Sequence, residues 1–233
     1  MSLESIWNEN RGGRAPTLAH VAALELREEI LSGKLDPGQP LPLVDTAERL
    51  GMSIMPVREA VRRLEFEGLV EQLPQKGARV SPLNIADLED VYHTRISMES
   101  RAVYRAVPKL TQETYRSLSK ILDDYREAYL SGDEDAGRTA HEKFHFGLYT
   151  LSGSVWMVRM IRLLWDTSER FRRLSIHHRG SIEDRMQEHM EILETCKRQE
   201  AERASDLMGE HLHRTMEIVK ADMKQRLGSD NTT

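Results

Sequence analysis

The stretch that decides the fold is Gly51-Met-Ser-Ile-Met-Pro-Val-Arg-Glu-Ala-Val-Arg-Arg-Leu-Glu-Phe-Glu-Gly-Leu-Val70. It reads as the turn and second helix of a helix-turn-helix. Gly51 ends one short helix, Ser53 is placed to cap the next, and Pro56 falls in the new first turn, where a missing N–H costs nothing. Val57, Val61, Leu64 and Leu69 recur at helical spacing on one face. Arg58, Arg62 and Arg63 are assigned to the other. An apolar back and an arginine front suit the major groove, because arginine matches guanine edges and phosphates. The next segment, Glu71-Gln-Leu-Pro-Gln-Lys-Gly-Ala-Arg-Val80, reads as a β-hairpin with Gly77 at its tip. Two helices followed by a basic hairpin make a winged helix.

Working outward, Leu18 to Leu31 follow a helical pattern stopped by Ser32-Gly33, and Leu35 to Leu41 form a turn-rich connection. Asp45 to Leu50 is the first helix of the helix-turn-helix. Residues 1–16 form a polar, flexible arm. The winged helix-turn-helix domain spans 1–82, and Ser81-Pro82-Leu83-Asn84 reads as a boundary and hinge, with Asn84 capping the helix that begins at Ile85. From Ile85 onward strand-like alternation is absent. Helices are expected near 85–106, 111–130, 134–151, 154–176, 181–198 and 200–226. Ser181-x-x-Asp184 has the form of a capping box. Short loops make this an antiparallel bundle over 83–227, an effector-binding and dimerisation domain, with a disordered tail at 228–233. The fold class is mainly α.

The 233 residues suffice for two modest domains. No apolar run nears the roughly 20 residues a membrane span needs, and no signal-peptide pattern opens the chain. The single cysteine, Cys196, excludes an internal disulfide and fits a reducing cytoplasm. The net charge is −5, and residues 1–82 hold ten Lys/Arg against twelve Asp/Glu. A generally basic domain is therefore absent, and DNA binding must come from a local patch of Arg58, Arg62, Arg63, Lys76 and Arg79.

The helical half carries a second signal. His141-Glu-Lys-Phe-His145 places two imidazoles one turn apart on one helix face. The string also matches the H-E-x-x-H of zinc proteases, with Glu142 as general base, which motivates an alternative reading as a metal-dependent hydrolase. That match is short, and nothing else resembles a protease cleft. His189 and His211 take inward positions on later helices. Antiparallel packing can bring His141, His145, His189 and His211 to one point. Such nitrogen ligands suit a divalent transition metal, Zn²⁺ or Ni²⁺ among others, one per chain. A third reading, a helical interaction module that no longer binds DNA, is motivated by the acidic balance of the first domain.

Together these residues resemble the GntR family of bacterial transcription regulators, in its FadR-like branch with an FCD effector domain. Met55-Pro-Val-Arg-Glu-Ala60, Leu64-Glu-Phe-Glu-Gly-Leu-Val70 and Lys76-Gly-Ala-Arg-Val80 resemble the family's recognition helix and wing. Arg95-Ile-Ser-Met-Glu99 resembles the opening of the FCD domain, and Phe144-His145, Glu188-His189 and His211-Leu212 its metal positions. The resemblance implies a homodimer on a palindromic operator, with Ser53, Arg58, Arg62, Arg63, Lys76 and Gly77 at the DNA. It also implies a small effector, often a carboxylate, held by the metal and by Arg95. The alternative for Arg95 is an intrahelical pair with Glu99, worth only about a few tenths of a kcal/mol, and the pocket role is preferred. The chain departs from the family at four positions. The usual metal-binding aspartate falls at His141, so the site is all-histidine or uses three histidines. Ser154 replaces a common asparagine. Val44 and Ile54 replace DNA-contacting arginines, so the operator is expected to differ from the common family site.

Overall fold

The computed structural model describes residues 16–73, 77–174 and 181–229. They divide into two compact units. The first comprises the N-terminal residues to Leu88 together with Trp165–Leu174, and the second comprises Glu89–Leu164 and Ser175 onward. The arm before Pro16, Lys76 and the pair His177-His178 lie outside the described residues.

In the first unit, α1 (Leu18–Leu31) starts at Thr17, whose hydroxyl accepts from the His20 N–H at 3.2 Å. Its Ala22, Ala23, Leu26 and Ile30 enter the core, where they meet Val61 and Leu64. Helix α2 (Leu43–Arg49) and α3 (Ile54–Phe66) form the helix-turn-helix. Gly51 sits between them at φ +64, a left-handed conformation that glycine adopts without a Cβ clash. On α3, Val57, Ala60, Val61 and Leu64 are all buried, as the helical spacing requires. Leu69 is buried as well, from the turn beyond the helix.

Strands β2 (Val70–Leu73) and β3 (Gly77–Val80) pair antiparallel in the register Val70↔Val80 and Leu73↔Gly77. Gly77 therefore opens β3 at φ +84 instead of standing at the tip. The segment expected to be only turns supplies a third strand, β1 (Pro40–Leu41), on the outer edge of β3. Two paired residues are too few for periodicity to register; Leu41 is fixed there by burial against the hairpin.

The second unit is helical throughout its described residues. Helix α4 (Ile85–Ala106) begins within the first unit, where Asn84 Oδ1 accepts from the Asp87 N–H at 2.7 Å. A 3₁₀ turn at Val107–Lys109 leads to α5 (Gln112–Ser131). Next come α6 (Glu134–Leu151), α7 (Val155–Leu174), α8 (Ile182–Lys197) and α9 (Ala201–Ser229). Helix α5 packs on α6 and α8, and α8 packs on α9. The Ser181 hydroxyl caps α8 through the Asp184 N–H at 3.0 Å and also bonds the Asp184 carboxylate. The break between α8 and α9 falls at Gln199, held at φ +62 while its side-chain amide donates to Val107 O at 3.0 Å. Helix α9 runs to Ser229, and residues 230–233 of the expected tail lie outside the described residues.

Residues 165–174 of α7 join the first unit through specific bonds. Arg27 pairs with Asp166 at 3.0 Å, Thr167 Oγ1 donates to Glu67 O at 3.1 Å, and Arg170 Nη1 donates to Ser81 O at 3.3 Å. The first compact unit runs to Leu88, past the boundary expected from the sequence at Pro82. Such pairings between distant segments leave no local pattern in the chain.

Candidate metal centre and nucleic-acid interface

Helix α6 carries His141, His145 and Tyr149 at successive i, i+4 positions, so one face presents all three. Asp133 caps this helix by accepting from the Ala136 N–H at 2.9 Å, and Glu134 and Asp135 complement the helix dipole in the first turn. Helix α8 adds His189 and α9 adds His211. One nitrogen from each of His141, His145, His189 and His211 lies within 4.8 Å of every other, and these four make up a group that could hold a metal ion. His145, His189 and His211 are buried, and His141 is half-buried. Loops and helix order thus gather residues separated by up to 70 positions.

The surroundings of the ring nitrogens fix where their protons sit. His189 Nδ1 lies 2.6 Å from Arg185 O, and a carbonyl only accepts, so Nδ1 carries the proton. His211 Nδ1 lies 2.7 Å from a Glu188 carboxylate oxygen and donates likewise. The Tyr149 hydroxyl gives its proton to Glu99 Oε2, so its oxygen accepts from His145 Nδ1 at 3.0 Å. In neutral rings the Nε2 atoms of these three histidines are therefore bare lone pairs. Yet His145 Nε2 lies 3.0 Å from His189 Nε2 and 3.1 Å from His141 Nε2. Burial, reinforced by the neighbouring His211, pushes the His189 pKa down to about 3 and disfavours a proton on that ring. Two lone pairs facing each other at such distances repel unless a cation lies between them. Tetrahedral Zn–N bonds of about 2.0–2.1 Å place ligand nitrogens about 3.3 Å apart, close to the His145–His189 and His145–His141 separations. The residues present fit a metal ion.

Outside the histidines, a second set of groups holds the ligands in place. Glu188 is pulled two ways: burial raises its pKa, but hydrogen bonds from His211 and Arg214 more than offset this and keep it below the ordinary carboxylate value. Arg95 is fully buried and donates to Glu99 at 2.6 and 3.3 Å. Burial alone lowers the Arg95 pKa, and the adjacent Glu99 carboxylate more than restores it. A continuous chain therefore runs from Arg95 through Glu99 and Tyr149 to His145. The simple pairing of Arg95 with Glu99 is present, but buried and bidentate instead of surface-exposed. Sequence reasoning misses Tyr149, although its i, i+4 spacing from His145 is the signal that marks it. His213 is exposed. Glu142, the base in the hydrolase reading, is ion-paired with Arg162 at 2.7 Å.

The candidate DNA face lies on α3 of the first unit. Arg58 and Arg62 are exposed, and neither makes a hydrogen bond or ion pair among the described residues. Arg63 differs. Its Nε donates to Glu67 at 3.2 Å and its Nη1 to His20 Nδ1 at 3.1 Å, which ties it to α1. Arg79 faces Glu71 directly across the hairpin and pairs with it at 3.1 Å. The expected patch of five cations is thus two uncommitted arginines, two engaged ones, and Lys76, which lies outside the described residues. Ser53 occupies the N-cap position, but its side chain makes no capping hydrogen bond, contrary to its expected role.

Comparison with known proteins identifies both domains. Residues 18–80 match the family described as bacterial regulatory proteins, gntR family, and residues 90–214 match the FCD domain. The HTH-type transcriptional repressor GlaR of Escherichia coli (strain K12) is 27% identical over 210 residues, covering 85% of this chain and 94% of GlaR. BphR of Paraburkholderia xenovorans (strain LB400), described as an uncharacterized HTH-type transcriptional regulator, is 26% identical over 204 residues, covering 84% and 82%. The solved structure of E. coli McbR/YncC has a TM-score of 0.74 at 23% identity, over 90% of this chain and all of that one, and shows the same fold. These relatives are named as regulators, and the hydrolase alternative gains no support from them. No described helix is long and apolar enough to cross a membrane. The chain belongs to the GntR family and is a bacterial transcription regulator, not an enzyme, with a winged helix-turn-helix and an FCD effector-binding domain.

Proposed function

We propose that this regulator holds one divalent transition metal per chain at His141, His145, His189 and His211, and senses a small carboxylate there. The observation that carries the reading is the convergence of four imidazole nitrogens within 4.8 Å, with the Nε2 atoms of buried His145 and His189 only 3.0 Å apart. Four neutral ligands leave the ion's full double charge uncompensated in the first coordination layer, so the site attracts an anion. Zn²⁺ and Ni²⁺ both favour imidazole, and a metal taking more than four ligands leaves room for a carboxylate oxygen. Arg95, held in orientation by Glu99, supplies the charge-assisted contact to the same anion. On the DNA side, a homodimer places α3 of each chain in the major groove of one half of a palindromic operator. Arg58 reads a base edge and Arg62 meets phosphate. Effector binding shifts the population between operator-competent and incompetent states through its differential affinity for them.

The test is elemental analysis of tag-free protein, compared with His145→Ala and His189→Ala. The expected result is one ion per chain in the parent protein and loss in both variants. Equal metal content in all three overturns the site. Metal-dependent turnover that vanishes in Glu142→Gln would instead support a hydrolase.

A further inference from the structure

The first turns of α2 and α3 present apolar side chains to water. Val44 is 53% exposed, Ile54 39% and Met55 59%. The core does not use them, because Val57, Ala60, Val61 and Leu64 already form the buried face of α3. Ile54 lies one turn before Arg58, and Arg58 one turn before Arg62, so one stripe of α3 reads apolar, cationic, cationic from its N-terminus. The N-terminal residues of a recognition helix are those that reach base edges.

An isoleucine or methionine side chain at that position offers no strong hydrogen bond to a phosphate or to a polar base edge. Laid over guanine or cytosine, it would strip water from donors and acceptors without replacing it. The major groove contains one apolar group, the 5-methyl of thymine. We infer that Ile54 and Met55, with Val44 beside the groove, read thymine methyl groups. Each operator half-site then carries A·T pairs next to a G·C pair read by Arg58. The inference deepens the reading of α3 as the major-groove helix and rests on it.

The experiment selects binding sites for the full-length protein from random duplexes, then replaces thymine by uracil at each enriched A·T position. Uracil removes the methyl and keeps every hydrogen-bonding group. The expected loss is about fourfold in affinity per contacted methyl, the value of one buried methyl-sized group. That loss should disappear at one position in Ile54→Ala, and Ile54→Arg should convert the enriched base there to guanine. Uracil tolerated at every position, G·C enrichment across the half-site, or a uracil penalty unchanged in both Ile54→Ala and Met55→Ala overturns the inference while leaving operator binding intact. Failure to enrich or bind any sequence overturns the major-groove reading as well.

Discussion

Replacing Glu99 by leucine removes the anion from a pair that has no access to water: Arg95 is 1% exposed and Glu99 0%. On a helix surface such an i, i+4 pair contributes only about 0.2–0.5 kcal/mol. Here the guanidinium has given up its hydration and holds the carboxylate at 2.6 and 3.3 Å instead. Loss of one partner from a buried pair costs about 3–5 kcal/mol, because the other charge stays buried without compensation. The Tyr149 hydroxyl loses its acceptor in the same step. With a urea dependence of about 2 kcal/mol per molar, the unfolding midpoint of the helical unit should fall by about 2 M. Far-ultraviolet circular dichroism on metal-free protein measures it, so that loss of metal does not enter the comparison. The double variant Arg95→Met/Glu99→Leu should recover most of the loss, since an apolar pair of similar volume leaves no buried charge. The reasoning is refuted if Glu99→Leu shifts stability by less than about 1 kcal/mol, or if the double variant is no more stable than the single.

Other contacts carry further expected outcomes. Arg58→Ala should weaken operator binding by about 5- to 150-fold, the range for one bidentate base contact, with helicity and oligomeric state unchanged; unaltered affinity in a mobility-shift titration removes Arg58 from the interface. Tyr149→Phe takes away the oxygen that accepts from His145 Nδ1, and should lower metal affinity about 10- to 100-fold, read by chelator competition. Glu29 is driven upward by burial, but hydrogen bonds from Lys34 and Arg49 prevail and hold its pKa below the ordinary 4.5. The stability it contributes is complete above 4.5 and is lost as pH falls through the lower folded value, so Glu29→Gln should flatten the acid limb of the first unit's stability curve. An identical acid limb in parent and variant would count against that assignment.

Much of this molecule is legible in the chain because the relevant signals are local. The spacing of Val57, Val61 and Leu64 marks the buried side of α3, and that side is buried as read. Gly132 at φ +76 and the cap at Asp133 separate α5 from α6 where the sequence breaks. The strand Pro40–Leu41 has no local signature, because its identity depends on β3, nearly forty residues away. Helical angle alone groups Arg63 with Arg58 and Arg62, whereas its engagement by His20 and Glu67 depends on how α1 crosses α3. The association of residues 165–174 with the first unit likewise rests on bonds to Arg27, Glu67 and Ser81.

By itself the sequence determined two things: the order of the helices, through periodicity and caps, and the chemical kind of each site, through residue type. An arginine-bearing helix before a hairpin and four inward histidines were evident from the chain. The tertiary structure decided whether those groups meet and in what state. It placed the histidine nitrogens within 4.8 Å of one another, and it brought carbonyl, carboxylate and phenol groups to the ring nitrogens that carry protons. It also buried Arg95 against Glu99 while leaving Arg58 and Arg62 exposed. The physical reason is that helical periodicity fixes a direction on one element, whereas lone-pair orientation and desolvation are set by partners on other elements.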